Sequence, residues 1–245
     1  MTIWGKIIGG AAGFILAGGP LGALMGSLAG HYVIDKQADK SHGAHRDARD
    51  QVAFTIGVIA LGAKMAKADG HVTRDEVNAF REVFQVPPQD FETVKRVFNR
   101  ARQDMAGYEG YARQISDLFR GNPGVLEDLL DGLFHIAKAD GVIHPKEIEY
   151  LKDVARIFGF SDNEFARIRS RHLGAEASDP YVILGVEATI SDKDLKVVYR
   201  RLVRENHPDA LIARGVPEEF IVLANEKLAV INDAYDRVSR SRGLT

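Results

Sequence analysis

An uninterrupted apolar run opens the chain. Residues 7–30 read IIGGAAGFILAGGPLGALMGSLAG and contain no charged side chain. A helix of these 24 residues rises about 36 Å, which exceeds the hydrocarbon core of a bilayer, about 30 Å. Trp4 precedes the run, and His31 and Tyr32 follow it, where amphipathic rings suit a membrane interface. The pattern predicts one transmembrane helix within residues 1–34.

Glycine recurs at every fourth position near the end of this run. The spacing places these glycines on one helical stripe, where a second backbone can approach closely. The stripe comprises Gly18, Gly22, Gly26 and Gly30. It predicts a homodimer formed through the transmembrane helix. Two alternatives stay open: a buried glycine- and alanine-rich helix of a soluble domain, in which glycine is costly, and a cleaved signal peptide, although the run exceeds the usual length.

Basic residues are distributed unevenly about the run, because only Lys6 precedes it. A juxtamembrane linker is predicted over 35–46, and the basic residues that follow the run lie in it or just beyond it. They are Lys36, Lys40, Arg46 and Arg49. Since basic residues favour the cytoplasmic side of a membrane, we expect a single-pass protein whose C-terminal domains are cytoplasmic.

Helical periodicity continues through residues 47–172, without the alternation typical of strands. Apolar positions three and four apart predict a first helix with a buried stripe, formed by Val52, Ile56, Ile59, Ala60 and Ala63. Proline and glycine divide the rest of the region into segments. Further helices are predicted over 73–85, 88–103, 108–119, 123–139, 145–158 and 161–171. This region is therefore expected to be an all-α domain.

Two stretches of this domain repeat one another. AKADGHVTRDEV (66–77) and AKADGVIHPKEI (137–148) each end one helix at Asp-Gly and begin another. In one interpretation the glycine ends a helix and the acidic residue caps the next. In the other, the repeats bind a metal ion, because glycine followed six residues later by glutamate matches the second half of an EF-hand loop. The candidate ligands are Asp69, Glu76, Asp140 and Glu147. The first half of such a loop is lacking, which favours capping.

Over about residues 50–172 the chain resembles the TerB-like (tellurite-resistance B) helical domain, whose copies carry an Ala-Asp-Gly…Glu motif of this kind. Metal binding has been proposed for that family, so the resemblance keeps the four acidic residues as candidate ligands. It also leaves open an alternative function for the chain, a metal or tellurite stress-response module. Otherwise the domain is expected to bind a client protein or to space the C-terminal region from the membrane.

An amphipathic helix is predicted after Ser191, which suits its N-cap. Its buried face follows the spacing i, i+3, i+4, i+7 and comprises Leu195, Val198, Tyr199 and Leu202. The rest of its surface carries a basic ridge, formed by Lys193, Lys196, Arg200, Arg201 and Arg204. Taken alone, such a ridge is either a solvated surface or a contact for an acidic partner.

The tripeptide His207-Pro208-Asp209 follows this helix. Because proline disrupts helical geometry, we expect the helix to end there and a polar loop to follow over 210–215. Pro217 then opens a third helix, whose apolar stripe comprises Phe220, Leu223, Ala224, Leu228, Ile231, Tyr235 and Val238. The two helices are predicted to pair antiparallel, which displays the tripeptide at the tip of a hairpin. The chain has no cysteine, and no serine adjoins the tripeptide, so catalysis there is not expected.

Three segments together resemble the J domain of DnaJ-type co-chaperones. They are DPYVILGV (179–186), VVYRRLVRENHPD (197–209) and INDAYDRV (231–238), within a J domain predicted over 173–245. The resemblance implies contact with a DnaK-type chaperone through His207, Pro208, Asp209 and the basic ridge. Ala210 and Asn206 depart from the residues usual in the family, and both are expected at the contact.

The order of the segments resembles the membrane-anchored DnaJ-like family of bacteria (DjlA). This resemblance implies a co-chaperone of the bacterial inner membrane that regulates a partner ATPase and needs no cofactor. The expected partners are a DnaK-type chaperone and its clients, and the membrane. The net charge of −2 gives no indication of nucleic acid. A membrane scaffold whose J domain no longer stimulates its partner is the remaining alternative.

Overall fold

The computed structural model describes residues 19–29, 42–68, 86, 91–103, 107–139, 141–174 and 178–244. Every regular element within these ranges is a helix, which confirms the predicted all-α fold class. The N-terminal helices are α1 (Gly19–Ala29), α2 (His42–Ala68), α3 (Phe91–Gln103), α4 (Tyr108–Leu118), α5 (Pro123–Ala137), α6 (Pro145–Ile157) and α7 (Asp162–His172). The C-terminal helices are α8 (Pro180–Leu184), α9 (Asp192–Glu205), α10 (Pro208–Ala213), a 3₁₀ turn (Glu218–Phe220) and α11 (Ile221–Arg242).

From α4 to α7 the helix boundaries agree closely with those predicted from the sequence. The helices α4, α5, α6 and α7 begin and end within two residues of the predictions. Helix α3 is described from Phe91 to Gln103, and its predicted start at residue 88 lies outside the described residues. The helix predicted over 73–85 lies outside the described residues. Proline at the first position of α5 and α6 and the Ser161 cap of α7 are local signals, which explains the agreement.

Helix α2 forms the centre of the helical domain. Its residues are buried continuously from Val52 to Ala66, and Phe54, Val58 and Leu61 are fully buried although they lie opposite the predicted stripe. The helices α3, α4, α5 and α6 all pack against it. Because neighbours enclose α2, apolar residues are needed around its whole circumference, and burial extends beyond the stripe that periodicity indicated.

Helix α1 is the described part of the N-terminal apolar run. Its first residue, Gly19, has a φ of +73°, a left-handed value that glycine adopts readily. Leu21 and Leu24 are buried in the core of the helical domain, and the Leu21 backbone N–H donates to Gln114 Oε1 at 2.8 Å. No helix among the described residues is both long and apolar enough to cross a bilayer.

The predicted dimer stripe is only partly visible. Gly22 lies in α1 and is buried, and the backbone of Gly26 lies in the same helix. Gly18 and Gly30 fall outside the described residues. The homodimer through the membrane helix therefore stays a prediction.

The C-terminal helices have a core of their own, formed by Ile183, Leu184, Leu195, Leu202, Ile231, Ala234 and Val238. Helices α9 and α11 pair antiparallel, because Arg242 near the end of α11 contacts Asp192 at the start of α9 at 2.9 Å. Midway along the pair, the rings of Tyr199 and Tyr235 stack with centroids 3.9 Å apart. The predicted hairpin of two helices is therefore present.

The segment after the tripeptide differs from the prediction in two ways. Most of the residues expected to form a polar loop belong to helix α10 instead, which begins directly after His207. Alanine and leucine, which follow Asp209, are good helix formers. Phe220 and Ala224, placed on the hairpin stripe by periodicity, belong to the core of the helical domain. We call residues 211–220 the docking segment, since they join the two domains.

Candidate partner-binding site

The helix that carries the basic ridge is fixed at its start. Ser191 Oγ accepts the backbone N–H of Asp194 at 3.1 Å and caps α9. The Arg242 guanidinium donates to the carbonyl oxygen of Ile190 at 2.7 Å as well as to Asp192. These contacts set the rotation of α9, so that Leu195 is buried and the polar face turns outward.

All members of the basic ridge are exposed: Lys193, Lys196, Arg200, Arg201 and Arg204. An apolar side chain, Val197, lies among them and is 59% exposed. Buried Leu195 and Leu202 define the opposite face. An exposed cationic strip with an apolar centre is typical of a surface that meets another protein, since it offers both attraction and contact area.

The tripeptide forms a capped turn between α9 and α10. His207 is the N-cap of α10, and its Nδ1 accepts the backbone N–H of Asp209 at 3.3 Å. The carbonyl oxygen of His207 accepts from Leu211 at 3.1 Å, and Pro208 occupies the first helical position, where its missing N–H costs nothing. The side chains of His207 and Asp209 are 54% and 89% exposed. The turn is thus rigid in its backbone and open to a partner.

A shallow groove lies beside the tripeptide. Its volume is about 430 Å³, and it is lined by Tyr199, Arg200, Val203, Arg204, His207, Asp209 and Ala210. Tyr199 and Val203 are half-buried and supply an apolar floor, while cations and the Asp209 carboxylate form the rim. A groove of this composition suits an extended protein segment better than a small polar substrate.

Asn206 does not belong to this surface. Its side chain is buried, and its Nδ2 donates to the carbonyl oxygen of Leu202 at 2.8 Å. The expectation that Asn206 lies at the contact is therefore wrong, because the amide satisfies the last turn of α9 instead. Ala210 is half-buried and does line the groove.

Behind the tripeptide lies a cluster of buried and half-buried charges that the sequence analysis missed. Its carboxylates, Glu127, Asp128 and Asp131, come from α5, and its cations come from α7, from the end of α10 and from α11. The cations are Arg167 and Arg171 of α7 and Arg214 and Lys227 of the C-terminal domain. We call these seven residues the charge cluster.

Lys227 is the centre of the charge cluster. Its Nζ lies 2.9 Å from Asp131 Oδ2, 3.0 Å from Asp128 Oδ1 and 3.2 Å from Glu127 Oε1. Burial lowers the pKa of Lys227, but the three carboxylates outweigh it and raise that pKa above its ordinary value. The ammonium is therefore charged at neutral pH, and it joins α11 to α5.

Arg171 completes the cluster from the other side. It is buried, and its Nη2 donates to both oxygens of Asp131 at 3.0 Å. Burial alone raises the pKa of Asp131, but Arg171 and Lys227 outweigh it and hold that pKa well below the ordinary range. A sequence signal existed for this site: Lys227 falls on the apolar stripe of its helix, three residues after Ala224 and four before Ile231.

The charge cluster makes stability sensitive to acid. His172 Nε2 lies 2.8 Å from Asp131 Oδ1, and burial lowers the pKa of His172, with Asp131 opposing it and Arg171 and His135 adding to it. A histidine pKa that is depressed on folding gives stability that is present above the unfolded pKa, about 6.5, and is lost as the pH falls. The lowered pKa of Asp131 acts in the same direction, but only below about pH 4.

We therefore expect the midpoint temperature of unfolding to fall between about pH 7.5 and about pH 5.5, and more steeply below about pH 4. Circular dichroism melts of the full chain at a series of pH values measure this. His172→Gln removes the histidine contribution and should flatten the first part of the profile, with the acidic part retained. An equal slope in both proteins between about pH 7.5 and about pH 5.5 would contradict the assignment to His172.

The metal candidates are only partly described. Glu147 Oε2 accepts the backbone N–H of His144 at 2.9 Å within a capping box at the start of α6, and Gly141 has a φ of +91°. Both observations fit the capping interpretation of this repeat. Asp69, Glu76 and Asp140 lie outside the described residues. Within the described residues no group of three acidic or histidine side chains is placed to hold a metal ion.

Three family profiles match the chain in succession. Residues 1–49 match the profile described as the co-chaperone DjlA transmembrane domain. Residues 55–170 match tellurite resistance protein TerB, and residues 179–242 match the DnaJ domain.

Curated relatives extend over almost the whole chain. Co-chaperone protein DjlA of Coxiella burnetii is 30% identical and covers 98% of this chain and 98% of its own length. The protein of the same name from Photobacterium profundum is 27% identical over 98% of this chain and 99% of its own. That of Escherichia coli K12 is 26% identical over 99% of each. No solved structure matches.

Proposed function

This chain belongs to the DjlA family of membrane-anchored J-domain co-chaperones, and from that premise we propose that its J domain stimulates ATP hydrolysis by a cytosolic DnaK-type chaperone and recruits it to the inner membrane. The observation that carries the proposal is the exposed His207-Pro208-Asp209 turn at the end of an exposed basic ridge. The chain acts in this scheme as a regulator of its partner's chemistry.

Two kinds of contact would contribute to binding of the DnaK-type partner. The basic ridge speeds encounter with an acidic surface of the partner and sets its orientation. The Asp209 carboxylate accepts a charge-assisted hydrogen bond from a basic residue of the partner. The capped backbone of the turn holds both polar side chains in one arrangement. The ATP-bound partner is thereby biased toward its hydrolysing conformation, which is a shift of populations.

Single-turnover ATP hydrolysis by a DnaK-type chaperone, with the full chain supplied in lipid nanodiscs, tests the stimulation. A rate that rises with chain concentration and saturates supports it. Flotation of vesicles that carry the chain tests the recruitment, since the partner should rise with the vesicles when ATP is present. A rate equal to that of the chaperone alone, with the chaperone shown active by another J protein, would refute the proposal.

The ridge should make the interaction sensitive to salt. We expect Arg200→Glu to raise the half-saturating concentration about tenfold at low ionic strength, because it replaces attraction by repulsion. The unchanged chain should lose affinity steeply as salt increases, and the variant less so. Arg169→Glu is the matched control, since Arg169 is exposed on α7 and lies outside the ridge. An equal effect of both substitutions would contradict a role for the ridge.

The proposed side of the membrane has its own test. Protease added to intact spheroplasts should leave the J domain uncut, and the same protease should cut it after lysis. Cleavage of the J domain in intact spheroplasts would place it outside the cytoplasm and exclude a cytosolic partner.

A further inference from the structure

The docking segment buries its apolar side chains in the helical domain rather than in the J domain. Leu211, Val216 and Phe220 are almost wholly buried and belong to the core that surrounds α2. The rings of Phe220 and Phe54 meet edge to face with centroids 4.7 Å apart. Gly132 of α5 leaves room for Phe220, because a Cβ there would lie 3.2 Å from its ring. Together these side chains form an apolar anchor, and the first of them, Leu211, follows the tripeptide by two residues.

A polar contact accompanies the apolar anchor. Arg214, which ends α10, donates from Nη2 to Asp128 Oδ2 at 3.2 Å. Gly124 at the start of α5 lies directly against this guanidinium, since a Cβ there would lie 2.5 Å from Arg214 Nη1. Gly215 has a φ of +90°, and a Cβ on it would lie 3.3 Å from the Cβ of Asp50. The backbone next to α10 therefore passes close to α2 and α5.

The J domain also contacts the helical domain through its first helix. Helix α8 packs against α7, and a Cβ on Gly185 would lie 2.9 Å from Arg167 Cδ. Arg167 is held in turn by Glu127, at 2.6 Å. Lys227 of α11 joins the same carboxylates. Contacts at α8, α10 and α11 fix the J domain against rotation as well as against separation.

The contacts leave the binding face open. The basic ridge is exposed, and so are the side chains of His207 and Asp209. An inhibitory contact would cover these groups. The helical domain instead holds the rear of the short helix whose first turn contains the tripeptide.

We propose that the TerB-like domain is a positioning domain for the J domain: through the docking segment, with Phe220 as apolar anchor and Arg214 as positioning residue, it holds the His207-Pro208-Asp209 turn in the orientation that engages the partner ATPase. The inference rests on the proposed function and deepens it. It gives the TerB-like domain a part in the J-domain reaction. Holding the turn in advance lowers the entropy that binding must remove.

The first measurement concerns the arrangement alone. The chain contains no cysteine, so spin labels can be attached uniquely at Glu149→Cys on α6 and Ala229→Cys on α11, both exposed sites. Pulsed electron resonance on the full chain in nanodiscs should give one narrow distance distribution. Phe220→Ala should broaden it. Phe119→Ala is the matched control, since Phe119 is buried in the same core and lies outside the J domain.

The second measurement separates binding from turnover. In the single-turnover assay, Phe220→Ala should raise the half-saturating concentration about three- to tenfold, with the rate at saturation changed less than about twofold. Arg214→Gln should raise the half-saturating concentration about twofold to threefold, and Arg214→Lys should return it to the value of the unchanged chain. Arg156→Gln is the control for the loss of an arginine: it removes an exposed ion pair with Asp153 on α6, away from the J domain, and should leave the half-saturating concentration unchanged. Arg214→Gln retains the apolar anchor, so it tests the inference even if Phe220→Ala fails to fold.

Each outcome decides a different point. A broadened distribution with a raised half-saturating concentration supports the inference. A distance distribution that stays narrow in Phe220→Ala overturns the inference. A broadened distribution also overturns it if Phe220→Ala and Arg214→Gln both stimulate the partner as the unchanged chain does. If the unchanged chain shows a narrow distribution but no stimulation, the proposed function fails and the positioning role fails with it.

Discussion

Lys227→Ala is expected to lower the free energy of unfolding of the chain by about 3–5 kcal/mol. The ammonium lies within 3.2 Å of three carboxylates on α5, and its removal leaves them buried with fewer cations. Breaking a buried pair on one side costs more than the pair contributes, because the remaining charge stays desolvated. For a chain of this size the midpoint temperature should fall by about 6–20 °C, measured by circular dichroism.

Two further variants separate charge from packing. Lys227→Met retains most of the side-chain volume and removes only the charge, so it should lose nearly as much stability as Lys227→Ala. Lys152→Ala breaks an exposed pair with Asp162 at 3.1 Å and should cost at most about 1 kcal/mol. If Lys227→Met were as stable as the unchanged chain, the attraction in the charge cluster would be no more than balanced by its desolvation.

Asp209→Asn is expected to remove most of the stimulation of the DnaK-type partner while leaving the fold unchanged. The side chain is 89% exposed, so the substitution removes little from the folded chain. A hydrogen bond to a charged group contributes about 1.5–3 kcal/mol, and its loss would also leave a basic group of the partner unpaired. We therefore expect a loss of about tenfold to a hundredfold in stimulation, measured by single-turnover hydrolysis.

Asp236→Asn is the matched control for this substitution. Asp236 is also exposed, and it lies on α11 well beyond the tip of the hairpin. It should stimulate as well as the unchanged chain, and both variants should unfold at the same temperature. Full stimulation by Asp209→Asn would mean that the Asp209 side chain makes no contact that stimulation requires. The TerB-like domain would then be the next candidate for the functional site.

Helix boundaries and the exposure of the tripeptide are predictable from the sequence because both depend on local chemistry. Pro123, Pro145 and Ser161 mark helix starts through groups within one turn of themselves. The ridge and the buried face of α9 follow from a period of 3.6 residues. His207 and Asp209 lie in a turn formed by their own neighbours, and their exposure follows from the hairpin.

The burial of particular residues was decided by contacts distant in the sequence. Asn206 was expected on the surface, yet the last turn of α9 takes its amide inward. The periodicity of α11 is equally consistent with Phe220 packing against α9 or against α2. In the folded chain Phe220 packs in the core around α2. Periodicity gives the side of a helix that is buried, but it does not say which element buries it.

The sequence by itself therefore determined the helical class, the order of its segments and the chemistry of the exposed turn, since each arises within a few neighbouring residues. The tertiary structure alone decided that three carboxylates of α5 meet Lys227, which lies 96 or more residues later in the chain. The physical reason is that a buried charge is tolerable only beside its partner. Which partner it finds depends on how the helices pack.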